Sequence, residues 1–272
     1  MNSNEINIAV VGATGAAGGT ALELLLERNH PADKIVAMAS KRSAGKKIQY
    51  GDVELTIIQA TIEAFEGIDV ALFAAGGYVS RRLARKVVEK GVFVIDKGSI
   101  FRMDPTIPLV VPEVNGDDIE WHPGIVSTPN CTSTPLVMVL DALRELSPIT
   151  AVTVATYQSV TGTGIAANEE LLEQSRADLA GENSVPEVYP HRIAFNVIPH
   201  VDDFLEDGYT KEEQKMLNES RKILHDDTLR VSATCVRVPV EISHSESVQI
   251  EFESSVDVAD AKHVLSEYDG MI

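Results

Sequence analysis

The sequence predicts an α/β protein of two domains, with a parallel sheet in residues 1–129 and a mixed α+β domain in residues 130–272. In the first half, short apolar runs alternate with helical spacing, which is typical of a parallel sheet covered on both faces by helices. In the second half, long β-branched runs with period-two alternation are interrupted by helical stretches. A chain of 272 residues, 44% of them hydrophobic, can build two cores.

Five apolar runs of the first half have the length of buried strands. They are Asn7–Val11, Ile35–Ala39, Val53–Ile58, Val70–Ala75 and Val92–Asp96. Helical spacing covers Ala16–Arg28 and Ser80–Lys90. Because ligands of such sheets bind outside the carboxyl ends of the strands, the segments that follow these runs are the expected binding residues.

A glycine-rich turn follows the first predicted strand. Gly12–Gly18 (GATGAAG) joins that strand to a predicted helix, which is the context that a dinucleotide-binding fingerprint requires. Its spacing is GxxGxxG, a variant of the usual pattern. Glycines there let the backbone approach a pyrophosphate held at the helix N-terminus. We therefore predict a Rossmann-like nucleotide-binding domain; the alternative is a tight turn without a ligand.

The end of the second predicted strand favours NADP over NAD. A carboxylate usually binds the ribose hydroxyls of NAD at this position, whereas a 2′-phosphate requires a basic group. The segment Ser40–Lys46 (SKRSAGK) contains basic residues and hydroxyls but no carboxylate. A solvated basic loop is the alternative. The small-residue turn Ala75–Gly77 leaves further room for a cofactor.

Three strands and three helices are predicted in the second half. The strands are Ile149–Tyr157, Val231–Val240 and Val248–Phe252, and the helices are Ala166–Ala180, Lys211–Leu224 and Ala259–Tyr268. This order predicts an α+β domain dominated by antiparallel strands.

Cys131 stands at the mouth of a further predicted helix. It precedes the helical run Leu136–Leu146, and Pro135 suits a first helical turn. Main-chain amides and the helix dipole at that position favour a thiolate and can stabilise an oxyanion. The sequence therefore predicts a nucleophile that adds to a carbonyl. The alternative is a buried packing cysteine, the role that we predict for Cys235.

Arg237 and His244 are further candidates. Arg237 lies in a predicted strand, where its charge needs a partner: either a substrate carboxylate or a structural acid, and both remain open. His244 follows in a loop and can exchange protons near neutral pH, although lone loop histidines are often incidental. Thr210 and Glu213 form a capping box. Glu212 and Lys215 share a helix face, which by itself predicts a solvated ion pair.

Composition limits the classes of partner. The net charge of −18, from 23 Lys and Arg against 41 Asp and Glu, argues against nucleic acid or an anionic membrane as partner. No run approaches the roughly 20 apolar residues that span a bilayer, and Met1–Ile6 lacks a signal pattern. Two distant cysteines give no disulfide framework. These features predict a cytoplasmic protein.

Together the motifs resemble the aspartate-β-semialdehyde dehydrogenase family along nearly the whole chain. They are GATGAAGG at Gly12–Gly19, SKRSAGK at Ser40–Lys46, SIFRMDP at Ser99–Pro105, PNCTSTPL at Pro129–Leu136, TYQSVTGTG at Thr156–Gly164, EEQK at Glu212–Lys215 and RVPVEISHS at Arg237–Ser245. The resemblance implies a second domain of the glyceraldehyde-3-phosphate-dehydrogenase-like C-terminal type. It also implies NADPH-dependent conversion of L-4-aspartyl phosphate to L-aspartate 4-semialdehyde, a step towards lysine, methionine and threonine.

The resemblance implies a role for each matching residue. Cys131 forms an acyl-thioester, His244 acts as acid and base, and Gln158 orients the substrate. Arg237 holds the substrate carboxylate and Glu212 lies beside its amino group. The phosphate pocket consists of Arg102, Asn130 and Lys215. With the motif residues above, the NADP contacts are Gly12, Thr14, Gly15, Ala16, Ala17, Ser40, Arg42, Ser43, Ala75, Gly76, Thr161 and Gly162.

The resemblance also implies a homodimer or homotetramer formed through the second domain. Two departures from the family are visible. Ser243 stands where the family usually has glycine. Family members also continue for several dozen residues, including a long helix that touches NADP. We therefore expect weakened NADP binding and low stability of the 272 residues.

Two alternative functions remain. One is another thiol-dependent acyl-phosphate reductase of the N-acetyl-γ-glutamyl-phosphate reductase type. The amino group of its substrate is blocked, so a carboxylate such as Glu212 would be less useful for binding it. Glyceraldehyde-3-phosphate dehydrogenase shares the chemistry but differs in its cysteine motif and glycine loop. The other alternative is an inactive, truncated relative that binds nucleotide without turnover.

Overall fold

A computed structural model describes residues 6–272, so nearly all of Met1–Ile6, on which the signal argument rests, lies outside the described residues. Tertiary contacts divide the chain into two compact units. The first consists of the residues up to Val110 and Asp117–Pro129, and the second of Val111–Gly116 and Asn130–Ile272. Over residues 6–272, no helix has the length and apolar character needed to cross a membrane.

From residue 6 onwards, the first unit contains eight strands and two α-helices. The strands are β1 (Ile8–Val11), β2 (Ile35–Ala39), β3 (Lys47–Tyr50), β4 (Val53–Thr56), β5 (Ile58–Gln59), β6 (Val70–Phe73), β7 (Phe93–Asp96) and β8 (Ile125–Ser127), and the helices are α1 (Ala16–Glu27) and α2 (Gly77–Val88). Six strands form a parallel sheet in the order β5-β2-β1-β6-β7-β8. The order reverses between β1 and β6, so a ligand site is expected outside the carboxyl ends of these two strands.

Both faces of this sheet are covered, as the sequence predicts. Ala9 and Val11 of β1 pack in one core with Leu83 of α2. Val10, between them, packs in a second core with Leu22 of α1. Alternate residues of a strand point to opposite faces, so a run of consecutive apolar residues is what a doubly covered strand requires.

The run Val53–Ile58, predicted as one strand, forms two. β4 pairs antiparallel with β3 across a turn at Gly51, whose φ is 57°. β5 instead pairs parallel with β2. Between them, the N–H of buried Ile57 donates to the carbonyl of Lys46. Val53 and Ile58, at the two ends of the run, are exposed, and the buried residue Ile57 lies between the two strands. The apolar pattern therefore does not mark the point where the pairing partner changes.

The second unit contains five α-helices and three strands. The helices are α3 (Pro112–Asn115), α4 (Ser133–Arg144), α5 (Ile165–Ala180), α6 (Lys211–Leu224) and α7 (Val258–Glu267), and the strands are β9 (Ile149–Gln158), β10 (Arg230–Arg237) and β11 (Ser245–Phe252). The predicted capping box at the start of α6 is confirmed, since the Thr210 hydroxyl and the Glu213 carboxylate each accept the other residue's main-chain N–H.

The three strands of the second unit form a mixed sheet in the order β10-β9-β11. β11 is antiparallel to β9, but β10 is parallel to it. The predicted dominance of antiparallel strands is therefore wrong. The chain between β9 and β10 includes α5 and α6, and a connection of that length can return the chain to the same end of the sheet, which parallel pairing requires.

One end of this sheet brings the candidate residues together. β10 ends at Arg237 instead of the predicted Val240, because Pro239 has no N–H for a sheet hydrogen bond and the N–H of Val240 turns back to the carbonyl of Val238. Arg237 is in register with Gln158, the last residue of β9. His244 immediately precedes β11, which starts at the same end.

Candidate active site

The turn between β1 and α1 needs glycine for its own close packing. Gly12 has a φ of 93°, and a Cβ atom there would lie 2.7 Å from the carbonyl oxygen of Ala74. A Cβ atom on Gly18 would lie 2.1 Å from the carbonyl oxygen of Gly12. No side chain caps the start of α1 at Gly15, and Thr14–Ala17 are exposed. The turn therefore presents main-chain N–H groups, the donors that a pyrophosphate needs.

A cavity of about 610 Å³ lies at the switch point of the sheet. Most of the predicted cofactor residues of the first unit line it: Gly12, Thr14, Gly15, Ser40, Arg42, Ser43 and Ala75. Ala16 and Ala17 begin α1 and Gly76 directly precedes α2, and none of the three lines the cavity. Thr161 and Gly162 belong to the second unit.

The charges in this cavity suit a phosphorylated dinucleotide. Lys41, Arg42 and Arg82 line it, and no carboxylate does. Within residues 6–272, neither Arg42 nor Arg82 forms an ion pair. In a chain with a net charge of −18, a group of free cations favours an anionic ligand. The residues therefore fit NADP.

Three polar lining residues were not identified from the sequence: Gln59, Tyr78 and Arg82. Tyr78 and Arg82 lie on the first turns of α2, which begins at Gly77 and not at the predicted Ser80. The pair Arg81-Arg82, in the helix that follows the small-residue turn, was the available signal.

The predicted phosphate-binding residues divide between the two units. Arg102 belongs to the first unit, where it is 8% exposed and its Nη2 donates to the carbonyl of Lys97 at 3.1 Å. Asn130 and Lys215 belong to the second unit.

Cys131 and His244 are neighbours in the second unit. Cys131 is exposed and lies two residues before α4, and its Sγ is 3.2 Å from Nε2 of His244. Nδ1 of His244 accepts the main-chain N–H of Ser159 at 3.0 Å. Burial lowers the pKa of His244 and the Arg237 guanidinium lowers it further, against the opposing effect of the Ser243 carbonyl. The imidazole is therefore neutral near pH 7.

The loop that carries Cys131 is held from two sides. Oδ1 of Asn130 accepts the N–H of Thr132 at 2.9 Å and its hydroxyl at 2.7 Å. The main-chain N–H of Asn130 donates to Oε2 of Glu219 at 2.6 Å. Glu219, 1% exposed, was not identified from the sequence. It lies seven residues after Glu212, on the same helix face, and that spacing was the available signal.

Glu212 is the centre of a buried polar network. Its Oε1 accepts Nε2 of Gln158 at 2.9 Å and Nδ2 of Asn130 at 3.1 Å, and its Oε2 lies 2.9 Å from Nζ of Lys215. Nζ of Lys215 also donates to Asp202. The Glu212–Lys215 pair exists as predicted, but it is not solvated, since Glu212 is only 6% exposed.

Both members of this pair are charged at neutral pH. Burial by itself would raise the pKa of Glu212, but Lys215 and the two amide donors outweigh burial and lower it. Burial likewise would lower the pKa of Lys215, but the carboxylates of Glu212 and Asp202 raise it. A fixed negative charge therefore lies beside Gln158, the residue at the end of β9.

Arg237 has no acidic partner within the described part of the chain. It is 7% exposed, and Nη1 donates to the carbonyl of Ser159 at 2.6 Å. Nε is buried without a hydrogen-bond partner, and Tyr189 stacks 5.8 Å from the guanidinium. Of the two partners considered for Arg237, the structural acid is absent among residues 6–272, which leaves a planar donor set suited to a carboxylate.

Gly162 lies against both Arg237 and His244. A Cβ atom there would be 3.1 Å from Nη1 of Arg237 and 3.3 Å from Cε1 of His244. The predicted cofactor turn Thr161–Gly162 thus borders the catalytic groups, and glycine leaves them room.

Ser243, where the family usually has glycine, adopts a φ of 76°. An L-residue is disfavoured in that region. We expect Ser243→Gly to stabilise the protein by about 0.5–1 kcal/mol, measured by urea unfolding. Ser245→Gly, at an exposed position of β11, is the matched control and is expected to destabilise the protein. Equal effects of the two substitutions would contradict this expectation.

Comparison with known proteins identifies relatives of both units. The family described as "Semialdehyde dehydrogenase, NAD binding domain" matches residues 7–122, and "Semialdehyde dehydrogenase, dimerisation domain" matches residues 140–271. The aspartate-semialdehyde dehydrogenase of Aquifex aeolicus is 47% identical over 269 residues, which cover 97% of this chain and 79% of that protein.

Solved structures agree with these matches. Aspartate semialdehyde dehydrogenase II of Vibrio cholerae, complexed with ASA, superposes with a TM-score of 0.94 at 39% identity, covering 97% of this chain and 80% of that one. The Candida albicans aspartate semialdehyde dehydrogenase with NADP superposes with a TM-score of 0.72 at 26% identity, covering 97% and 76%.

Proposed function

The chain belongs to the aspartate-semialdehyde dehydrogenase family, and from this premise we propose how its residues convert L-4-aspartyl phosphate to L-aspartate 4-semialdehyde. The reaction is a step in lysine, methionine, threonine, isoleucine and diaminopimelate biosynthesis. The observation that carries the proposal is the 3.2 Å contact between Sγ of Cys131 and Nε2 of His244. A nucleophilic sulfur and a proton-exchanging ring are thereby placed within reach of one acyl carbon.

Cys131 is the proposed nucleophile. Its thiolate attacks the acyl carbon of the substrate, the C–O bond to phosphate breaks, and an acyl-thioester remains on the sulfur. Asn130 and Lys215 are the proposed phosphate contacts of the second unit, and Arg102 is the proposed phosphate-binding cation of the first. Because Oδ1 of Asn130 is engaged by Thr132, Asn130 also holds the nucleophile loop in place.

Arg237 and Glu212 are proposed to recognise the two charged ends of the substrate. The open edge of the Arg237 guanidinium suits the α-carboxylate, and the ionised Glu212 suits the ammonium group. Gln158, held between Thr156 and Glu212, is the proposed orienting residue. Recognition of a free ammonium group favours aspartyl phosphate over an N-acetylated substrate, whose nitrogen is uncharged.

NADP is the proposed cofactor of the first unit, a dinucleotide-binding domain. When bound, NADPH supplies the hydride that reduces the thioester. The turn Gly12–Ala17 is proposed to bind the pyrophosphate, and Ser40, Arg42 and Ser43 the 2′-phosphate. Ala75–Gly76 and Thr161–Gly162 are the remaining proposed contacts. The cations of the 610 Å³ cavity support this choice.

We expect Arg42→Ala to raise the KM for NADP on the order of 10-fold and to leave the KM for NAD unchanged, because a hydrogen bond to a charged group contributes about 1.5–3 kcal/mol. Steady-state kinetics with both cofactors would measure this. Lys46→Ala removes an equal charge from the same loop outside the cavity and is the control. A parallel rise in both KM values would contradict a contact to the 2′-phosphate.

The direct test of the function is NADPH formation from L-aspartate 4-semialdehyde, phosphate and NADP. We expect phosphate-dependent turnover with this aldehyde and little with N-acetylglutamate semialdehyde. The reverse preference would favour the acetylglutamyl-phosphate reductase type. Binding of NADP without turnover of either aldehyde would favour the inactive relative.

We propose that the protein associates as a homodimer or homotetramer through its second unit, as the match of residues 140–271 to a dimerisation domain supports. A cytoplasmic location is proposed on chemical grounds. Cys131 must remain reduced to act, and its exposed sulfur is open to oxidation in an oxidising compartment.

A further inference from the structure

We propose that the main-chain N–H of Ser159 holds His244 in the neutral tautomer with its proton on Nε2, so that Cys131 faces a hydrogen-bond donor and not a proton acceptor in the resting site. Ser159 thereby acts as a positioning residue. It directly follows Gln158 at the end of β9 and is 1% exposed. The proposal rests on the proposed function and deepens it.

Nδ1 is the ring nitrogen of His244 that faces the main-chain N–H of Ser159. A main-chain N–H can only donate a hydrogen bond. It lies 3.0 Å from Nδ1 of His244, so Nδ1 must be the acceptor and carries no proton. In a neutral imidazole the remaining proton is then on Nε2. Nε2 is the atom that faces Sγ of Cys131 at 3.2 Å.

The sulfur of Cys131 also contacts the side chain of Asn130. The N–H of Thr132 donates to Oδ1 of Asn130 at 2.9 Å, and Nδ2 of Asn130 donates to the Glu212 carboxylate at 3.1 Å. These partners fix which end of the Asn130 amide is oxygen. Sγ of Cys131 lies 3.5 Å from that oxygen. The thiol proton therefore points to Asn130, and the sulfur lone pair accepts from Nε2.

The two ends impose one direction on the whole chain of hydrogen bonds. It runs from Ser159 through His244 and Cys131 to Asn130, and both of its fixed ends are set by main-chain N–H groups. A reversed chain would place two donors against each other at Nδ1 and two acceptors against each other at Asn130. Such mismatches between partly buried polar groups cost stability.

The hydrogen bond from Ser159 also disfavours a doubly protonated His244, the imidazolium. Protonation of His244 would place a proton on Nδ1 against the N–H of Ser159 and break that hydrogen bond. The main-chain carbonyl of Ser243 favours protonation of His244, Arg237 of β10 opposes it, and Glu212 of α6 favours it as the weakest influence. Burial opposes protonation most strongly. The thiol therefore loses its proton to solvent, to which Cys131 is exposed.

Ser159 also positions the substrate-binding cation. Its carbonyl accepts Nη1 of Arg237 at 2.6 Å. Its hydroxyl lies 3.2 Å from Nδ1 of His244 and 3.3 Å from the Thr161 hydroxyl. One residue thus sets the proton position of His244 and the orientation of Arg237, mainly through main-chain atoms that do not depend on its side chain.

The deciding experiment is ¹⁵N NMR of the free full chain with labelled histidine, between pH 6 and 8. The His244 signals are assigned with His244→Gln. We expect the chemical shift of an unprotonated nitrogen at Nδ1 and of a protonated nitrogen at Nε2. A protonated Nδ1 in this range, in either the other tautomer or an imidazolium, would overturn the proposal.

Two variants separate the N–H from the hydroxyl. Ser159→Ala keeps the N–H and is expected to keep the tautomer. Ser159→Pro removes the N–H at a residue whose φ of −64° suits proline. This variant is expected to lose the Nε2-protonated tautomer of His244. Retention of the tautomer in a folded Ser159→Pro protein would overturn the role of the N–H. If that variant does not fold, the ¹⁵N NMR measurement on the unmodified chain still decides which nitrogen of His244 carries the proton.

Alkylation of Cys131 by iodoacetamide gives a second readout. Its rate is expected to follow pH with one inflection, the ionisation of the thiol. A second, lower inflection that disappears in His244→Gln would reveal a thiolate–imidazolium pair and overturn the proposal. Neither measurement needs substrate. A protein with the expected tautomer but no turnover would refute the proposed function alone.

Discussion

Cys131→Ala is expected to lower kcat for aldehyde formation on the order of 10⁴-fold or more, because the acyl-thioester cannot form and the remaining groups act only together with the nucleophile. Cys131→Ser is expected to be nearly as inactive, since the hydroxyl of serine ionises far less readily than a thiol and is a far weaker nucleophile than a thiolate. NADPH consumption with aspartyl phosphate measures both. NADP binding to the first unit should be unchanged.

Cys235→Ala is the matched control for the loss of a thiol. Cys235 is fully buried in β10, 3.9 Å from the sulfur of Met216, and burial raises its pKa to about 12. It is therefore a packing residue, as the sequence predicts, and its removal should cost stability without a large change in kcat. Undiminished aldehyde formation by Cys131→Ala would end the thioester interpretation.

Arg237→Lys is expected to raise the KM for aspartate semialdehyde on the order of 100-fold, since each charge-assisted hydrogen bond contributes about 1.5–3 kcal/mol. Lysine keeps the charge but not the planar fork that binds a carboxylate through two parallel bonds. The ammonium group also cannot contact the Ser159 carbonyl and the carboxylate with the same geometry. Steady-state kinetics with varied aldehyde measures the effect, and the KM for NADP should stay constant.

Arg230→Lys tests the same exchange on the same strand. Arg230 is exposed, with its guanidinium 3.9 Å from Glu251, and an exposed pair of this kind contributes little. Its kinetics should therefore match those of the parent protein. If the two variants behave alike, or if Arg237→Lys affects phosphate and NADP as strongly as the aldehyde, Arg237 is not the carboxylate-binding residue.

The spacing of apolar residues predicted the long helices of the second unit closely. A helix that buries one face places apolar residues three or four positions apart, and this pattern is visible within the segment itself. α5, α6 and α7 begin and end within one residue of the predicted bounds. A helix satisfies its backbone within one segment, so apolar spacing, the capping box at Thr210 and a terminating Gly181 in the left-handed conformation carry the information. The glycine turn at Gly12 and the cysteine motif before α4 could likewise be recognised from a few consecutive residues.

Strand pairing was not predictable in this way. The apolar run from Val53 to Ile58 has one pattern but two pairing partners. The long β-branched run from Val231 has the same alternation whether it lies parallel or antiparallel to β9. A strand forms its backbone hydrogen bonds with another segment, and its own sequence does not identify which segment that is.

The sequence by itself determined the class of chemistry. A cysteine before a helix, a glycine-rich turn after a strand and a basic segment without carboxylates at Ser40–Lys46 are short-range features, and each follows from backbone geometry within a few residues. Arg237 and His244 were visible as chemically capable residues, but their partners were not.

Only the tertiary structure decided how these residues act. Ser159 holds His244 across 85 positions of the chain, and Glu219 holds the Cys131 loop across 89. Glu212 is ionised because three segments meet at its buried carboxylate: Asn130 and Gln158 donate from distant parts of the chain, and Lys215 donates from the same helix. Protonation states depend on burial and on neighbours in space, and these come from distant segments whose order along the chain does not reveal their proximity.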